Sequence, residues 1–254
     1  MTLANVLMQA MNPVRRRVML KQLQTRLVDE RGQLSKPVNL NWIRSHCTSF
    51  ETLANELDPT LWEEARRFSA ALEIDAEEIL REAGYKLGGG GAYPFLYFLT
   101  RYAKPDCIVE TGVAAGFSSC AFLSAIEANG RGRLYSSDFP YFRLPNPETL
   151  IGVLVKGHLR RHWELYLEGD ATNLPRIINT VDRINIFHYD SDKSYSGRKA
   201  AISMVETKMD NNEILLLDDI QDNSQFHDYV TTSGAASWRI FEFRGKQFGM
   251  IGGP

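Results

Sequence analysis

The sequence predicts an α/β fold: a mostly parallel, seven-stranded sheet that ends in an antiparallel hairpin and follows an α-helical N-terminal region. Three observations predict it. After Gly88–Gly91, short β-branched or apolar runs alternate with helical stretches, as in repeated strand and helix units. The last two apolar runs stand too close for a crossover helix, which makes them a hairpin. Before Gly88 the apolar spacing is helical. The 254 residues, 44% of them hydrophobic, suffice for one large domain or one domain with an appendage.

In chain order, Leu3, Val6, Leu7, Ala10 and Met11 form one helical stripe and Leu20, Leu23 and Leu27 another, with Pro13 between them. Thr48 before Glu51, Asp58 before Pro59 and Asp75 before Glu78 are helix starts, each with a side-chain acceptor for free amides or a pre-set first turn. Leu61, Ala65, Phe68 and Leu72 supply the middle helix with a buried face. The chain thus divides into a helical region, residues 1–87, suited to a lid or to a homodimer interface, and an α/β region, residues 88–254. Arg15, Arg16 and Arg17 suit either an acidic docking partner or, more simply, a solvated helix face. Gly88–Gly91 suits equally a mobile loop at a site and a hinge, and lacks the Gly-Lys-Ser/Thr of a phosphate loop.

Strands are expected at Asp106–Thr111, Arg133–Ser137, Trp163–Glu168, Ile184–Tyr189, Glu213–Leu217, Trp238–Phe243 and Gln247–Ile251. Helices fill the gaps at Phe117–Ala128, Glu148–His162, Leu174–Thr180, Ser196–Lys208 and Ser224–Val230. The 29 basic and 31 acidic residues leave a formal charge of −2, which provides no general pull toward nucleic acid or an anionic membrane. Cys47, Cys107 and Cys120 form no CxxC pair, which fits a reducing, cytoplasmic compartment. No run approaches the roughly 18 apolar residues of a membrane span, and the apolar core of a secretory signal is not expected.

In open α/β sheets ligands sit beyond the carboxyl ends of the strands, so the residues there carry the functional reading. The first strand ends Glu110-Thr111-Gly112-Val113-Ala114-Ala115-Gly116-Phe117. A dinucleotide fingerprint would place glycine where Ala114 and Phe117 stand, so a pyrophosphate cradle is disfavoured. Gly112 and Gly116 still allow close approach of a carboxylate or ribose to backbone amides. Asp138, 22 residues after Gly116, can accept two hydrogen bonds from a ribose diol, or simply form a turn. Asp170 suits an adenine amino group or, like Thr172, a helix cap. Asp190, Asp192, Asp218 and Asp219 crowd the next two strand ends, a repulsion that a divalent cation or Lys193 would relieve. Oxygen-only ligands suit Mg²⁺, Mn²⁺ or Ca²⁺ better than zinc. His188 is a base or ligand, or a packed residue with one hydrogen bond; His227, near the rim, is equally open.

The ordered set Glu110-Thr111-Gly112 through Gly116-Phe117-Ser118, Asp138, Gly169-Asp170-Ala171, Asp190-x-x-Lys193 and Asp218-Asp219 resembles the class I S-adenosylmethionine-dependent methyltransferases, and most closely the metal-dependent catechol and caffeoyl-coenzyme A O-methyltransferases. The resemblance runs from about Gly88 to the C-terminus and implies a Rossmann-like fold and methyl transfer to a small-molecule hydroxyl. It implies that Glu110, Thr111, Gly112, Gly116 and Ser118 line the methionine side of S-adenosylmethionine, Asp138 the ribose, and Asp170 with Ala171 the adenine. Asp190, Asp218 and Asp219 would hold Mg²⁺ or another divalent cation, and Lys193 would take the acceptor proton. The family usually has Asp-Asn where this chain has Asp218-Asp219, a more anionic site. Tyr93, Tyr97, Tyr141, Phe142 and Trp163 are candidates for an acceptor wall, or core. Two alternatives are a metal-independent O-methyltransferase with His188 or Lys193 as base, and a non-catalytic cofactor-binding module.

Overall fold

The computed structural model describes residues 3–254 apart from 14, 21–28, 30–31, 86, 142, 211 and 236. Leu23 and Leu27 of the second predicted stripe, and Phe142, lie outside the described residues, as does the side chain of Leu3.

Helix α1 (Leu3–Ala10) is followed by α2 (Lys36–His46). Ser49, not Thr48, caps α3 (Phe50–Leu57), its hydroxyl accepting from the Thr52 amide. Thr48 belongs instead to β1 (Cys47–Thr48), a two-residue strand too short to leave any periodicity in the sequence. Asp58 caps α4 (Pro59–Ala83) as expected: its carboxylate accepts from Leu61 N, proline opens the first turn, and Gly84 at φ 70° closes the helix. Asp75 does not start another helix. No breaker precedes it inside α4, and its carboxylate turns outward to pair with Lys156 at 2.7 Å. Helix α5 (Tyr93–Ala103) was not anticipated, because Tyr93 to Thr100 are all buried and leave no polar face to reveal a helical period.

The sheet has eight strands, not seven, in the order β1-β7-β8-β6-β5-β2-β3-β4. These are β2 (Cys107–Thr111), β3 (Arg133–Ser137), β4 (Trp163–Tyr166), β5 (Ile186–Tyr189), β6 (Ile214–Leu217), β7 (Trp238–Phe243) and β8 (Lys246–Ile251). β2 to β6 run parallel, β7 and β8 form the expected antiparallel hairpin, and the added β1 pairs parallel with β7 through Cys47↔Ile240. The order reverses beside β2, which has β5 on one side and β3 on the other. Helices α6 (Phe117–Asn129), α7 (Asp170–Thr180), α8 (Tyr195–Val205) and α9 (Gln225–Thr232) connect the strands.

The α-helix expected over Glu148–His162 is replaced by two 3₁₀ turns, Pro147–Leu150 and Gly157–His162. Gly152 (φ 64°) lies so close to Trp163 that a Cβ there would come within 2.3 Å of the indole. Its amide bonds Ala114 O at 2.9 Å and Leu154 N bonds Ala115 O at 3.1 Å. These amides brace the loop after β2 instead of closing helical turns.

Both sheet faces are covered. Phe50, Trp62 and Leu72 pack with Phe95, Phe98, Phe122 and Ile108 on one face, so the N-terminal helices share a core with the α/β region. Ile43, Ile177, Ile202 and Phe226 pack with Val109, Phe187 and Leu217 on the other. No described helix is long and apolar enough to cross a membrane.

Candidate active site

The turn after β2 is shaped by three left-handed residues, Gly112 (φ 82°), Ala114 (φ 50°) and Gly116 (φ 102°). At Gly112 a side chain is excluded twice over. Its φ disfavours L-residues, and a Cβ would stand 2.3 Å from the carbonyl oxygen of Asp190. Gly116 caps α6, where helix geometry leaves amides free of intrahelical partners.

Asp138 lies beside this turn. Its carboxylate accepts from Ala114 N at 2.8 Å and Phe139 N at 2.6 Å. Burial pushes its carboxyl up to about 6 despite those amides, with Asp170 and Glu110 adding to the rise. Asp170 opens α7 without capping it: Gly169 is the cap residue and no side-chain cap bond forms. The Asp170 carboxylate instead accepts from Ser137 Oγ at 2.6 Å and from Ser191 Oγ. Ala171 is exposed in the same helical turn. Thr111 Oγ1 receives Ser191 Oγ at 3.1 Å, joining the ends of β2 and β5.

Glu110 and Ser118 are not free to face a ligand. Glu110 is fully buried and its carboxylate accepts from Ser118, from Ser119 at 2.6 Å and from Ser136 at 2.8 Å. They form the floor under the turn rather than its lining. Trp163, bonded through Nε1 to Ser136 Oγ at 2.8 Å, is core, and so is Tyr97, stacked on Phe68. Tyr141 does reach the site, its hydroxyl accepting from Gly88 N at 3.4 Å between Asp138 and Asp190. The glycine stretch closes over the same place, since a Cβ on Gly91 would lie 2.2 Å from an Asp218 oxygen.

The acidic cluster carries its own cation. Lys193 Nζ pairs with Asp190 and, at 3.0 Å, with Asp219. Asp219, left-handed at φ 53°, also takes Lys246 Nζ at 3.3 Å and Gln221 Nε2 at 3.2 Å. Asp218 lies 3.7 Å from His188 Nε2, with its charge also acting on Lys193 and Asp190. Among the described residues no group of three or more His, Cys, Asp or Glu could hold a metal ion. Of the expected ligand set, Asp190 and Asp219 have the Lys193 ammonium between them, and Asp218 lies 3.7 Å from His188.

The electrostatics follow this geometry. Burial and Asp218 push the Asp190 carboxyl above the usual carboxylate range against the pull of Lys193. Burial works against the Lys193 charge, but Asp190 and Asp219 outweigh it and raise its pKa above the lysine range. The sequence-based role of Lys193 as proton acceptor required the opposite shift. His188 is buried, Nδ1 lies 3.9 Å from Glu110, and neither ring nitrogen has a hydrogen-bond partner. Burial opposes its charge, yet Asp218, Glu110 and Asp190 raise its pKa. The ring is thus a packed residue between carboxylates, with no reach to a ligand. His227 pairs with Asp228 at 2.8 Å under the Trp42 ring.

Two residues that sequence reading passed over organise this edge. Asn173 donates to Ser137 Oγ (2.9 Å), Tyr166 O (3.0 Å) and Asp138 O (3.3 Å), tying β3 to β4. Arg198, fully buried, donates through Nη2 to the carbonyls of Asp218 (2.8 Å) and Asp219 (2.9 Å), so α8 grips this dipeptide from behind while Lys193 holds a carboxylate in front. Nothing in the local spacing marks either one. Replacing Arg198 by Met leaves two carbonyls unpaired and should lower stability by about 2 kcal/mol, seen as a fall of roughly 5 °C in Tm; an unchanged melting curve would refute the clamp. From the N-terminal region, Val18 approaches Gly169 and Arg15 pairs with Glu148 and Gln9, so Arg15 is not part of an open docking patch.

Residues 109–220 match the family described as a methyltransferase domain. No curated protein matches the sequence. Among solved structures, the chain is similar to an O-methyltransferase from Bacillus cereus in complex with SAH, with TM-score 0.52 and 13% identity over 82% of this chain and 99% of that one. It is also similar to the O-methyltransferase TomG from Streptomyces achromogenes, involved in tomaymycin synthesis and in complex with SAM, with TM-score 0.54 and 15% identity over 72% and 90% of the two chains. At these identities the likeness is one of fold, and it is the Rossmann-like methyltransferase fold that the sequence resembles.

Proposed function

We propose that this chain, with its methyltransferase domain over residues 109–220, is an S-adenosylmethionine-dependent O-methyltransferase acting on a small-molecule hydroxyl. The observation that carries the proposal is the convergence, at the reversal of strand order, of the Gly112–Gly116 turn, the half-buried Asp138 carboxylate and the Asp190–Lys193 pair. When bound, the cofactor supplies an activated methyl on sulfonium. The chain's residues supply position and proton handling. Asp138, once its carboxylate leaves the Ala114 amide, accepts the two ribose hydroxyls. The Gly112–Gly116 turn, whose glycines let Asp190 and Gly152 pack closely against it, borders the methionine part, and Asp170 with Ala171 borders the adenine.

The acceptor oxygen must lose a proton as it attacks. The Asp190 carboxylate, paired with Lys193 and raised in pKa by burial and Asp218, is the group we assign as the base. Lys193, kept protonated, orients the developing oxyanion by a charge-assisted bond. This is the metal-independent reading, supported by the ammonium that lies between Asp190 and Asp219. Turnover, followed as S-adenosylhomocysteine release with a panel of phenols, catechols and sugar hydroxyls, should stay within twofold after treatment with a chelator. A requirement for added Mg²⁺ would instead restore the metal-dependent mechanism.

A further inference from the structure

A cavity of about 200 Å³ lies between α4, α6 and the 3₁₀ segment, and none of its lining residues belongs to the strand-end site. Its walls are apolar, with Phe68 and Leu72 on one side and Leu154 and Leu159 on the other. Burial pushes the Cys120 thiol in the lining up to about 12, so the thiol adds no charge. The volume exceeds the roughly 150 Å³ of an apolar cavity that takes up benzene. Phe68, already stacked on Tyr97 with ring centroids 4.3 Å apart, is an aromatic surface for a further ring.

Lys156 and Asp75 of the lining form an ion pair at 2.7 Å, and Ser124 and His158 add a hydroxyl and an imidazole. As the pair's charges cancel, a ligand carboxylate would meet Asp75 and a ligand ammonium would meet Lys156, each at a like-charge cost. A hydroxyl suits both, since it donates to the carboxylate and accepts from the ammonium. We infer that this cavity binds a small aromatic molecule bearing one hydroxyl, of phenol to naphthol size, at a site separate from the strand-end cleft.

Calorimetric titration of the full chain with 2-naphthol and with 2-naphthoate tests this, with cooperative thermal unfolding as the control for folding. Neither readout depends on cofactor binding, so the result stands whether or not methyl transfer is found. The expected result is one-to-one binding of 2-naphthol, with 2-naphthoate at least tenfold weaker. Ala71→Trp, at an exposed position on the cavity wall, and Ser124→Leu should each weaken 2-naphthol at least tenfold. Absence of saturable binding up to the solubility limit overturns the inference, as does naphthoate binding equally well. Binding that survives both cavity variants overturns it too, and its loss in Asp190→Ala would then place the naphthol at the strand-end site.

Discussion

Lys193→Met should lower methyl transfer by roughly 10²- to 10⁴-fold, the range lost with a positioned proton-handling or oxyanion-binding group. The variant removes the charge that lies between Asp190 and Asp219 and leaves Asp218 near by, 3.7 Å from His188. Removing one member of a buried pair costs about 3–5 kcal/mol. Because the Lys193 side chain is 31% exposed, water screens part of this, and a stability loss of about 2 kcal/mol is the better expectation. Lys193→Arg should recover stability more than rate, since a planar fork cannot reproduce a point charge among carboxylates. A Lys193→Met protein that turns over within threefold of the parent would remove Lys193 from the mechanism.

Asp138→Asn should weaken binding of S-adenosylhomocysteine about a hundredfold, because two charge-assisted acceptor bonds to the ribose are replaced by an amide with a single acceptor oxygen. The pH dependence has a definite sign. Burial raises this carboxyl from 3.8 to about 6, so its share of folding stability is fully present below pH 3.8 and is lost as pH rises through about 6. That loss is ~3 kcal/mol at most in the cofactor-free protein. Hydroxyl donors from the ligand offset it, since they bond the ionised form. The rise in Tm produced by S-adenosylhomocysteine should therefore be larger at pH 7.5 than at pH 5, and the difference should vanish in Asp138→Asn. Calorimetry and melting curves at the two pH values check both statements; equal ligand-induced shifts would dissociate Asp138 from the cofactor.

Much of the α/β region was legible because its periods are local. The strands after Gly88 are apolar runs flanked by helix-forming stretches, and the closing Arg244-Gly245-Lys246 permits only a hairpin. The misses have physical reasons. α5 is buried on all sides and has no amphipathic stripe, whereas residues 151–156 have helix-like composition but spend amides on Ala114 and Ala115. β1 exists only because β7 offers it an edge. Within the site, the convergence of Asp138, Asp170, Asp190 and Asp218 followed from each ending a parallel strand or beginning the segment after it. The roles of Glu110 and Ser118 did not, because a carboxylate bonded to hydroxyls in a core reads in one dimension like one facing a ligand.

By itself the sequence determined which residues end up at one rim, since each ends a strand of a parallel sheet or begins the segment after it. Only the tertiary structure decided what those residues do there. Whether three carboxylates gather round a metal or round an ammonium depends on distances of a few ångströms between segments far apart in the chain. Charge interactions in a desolvated site change steeply over such distances. In this fold Lys193 lies between Asp190 and Asp219, with Arg198 behind Asp218 and Asp219, a juxtaposition no local pattern in the chain records.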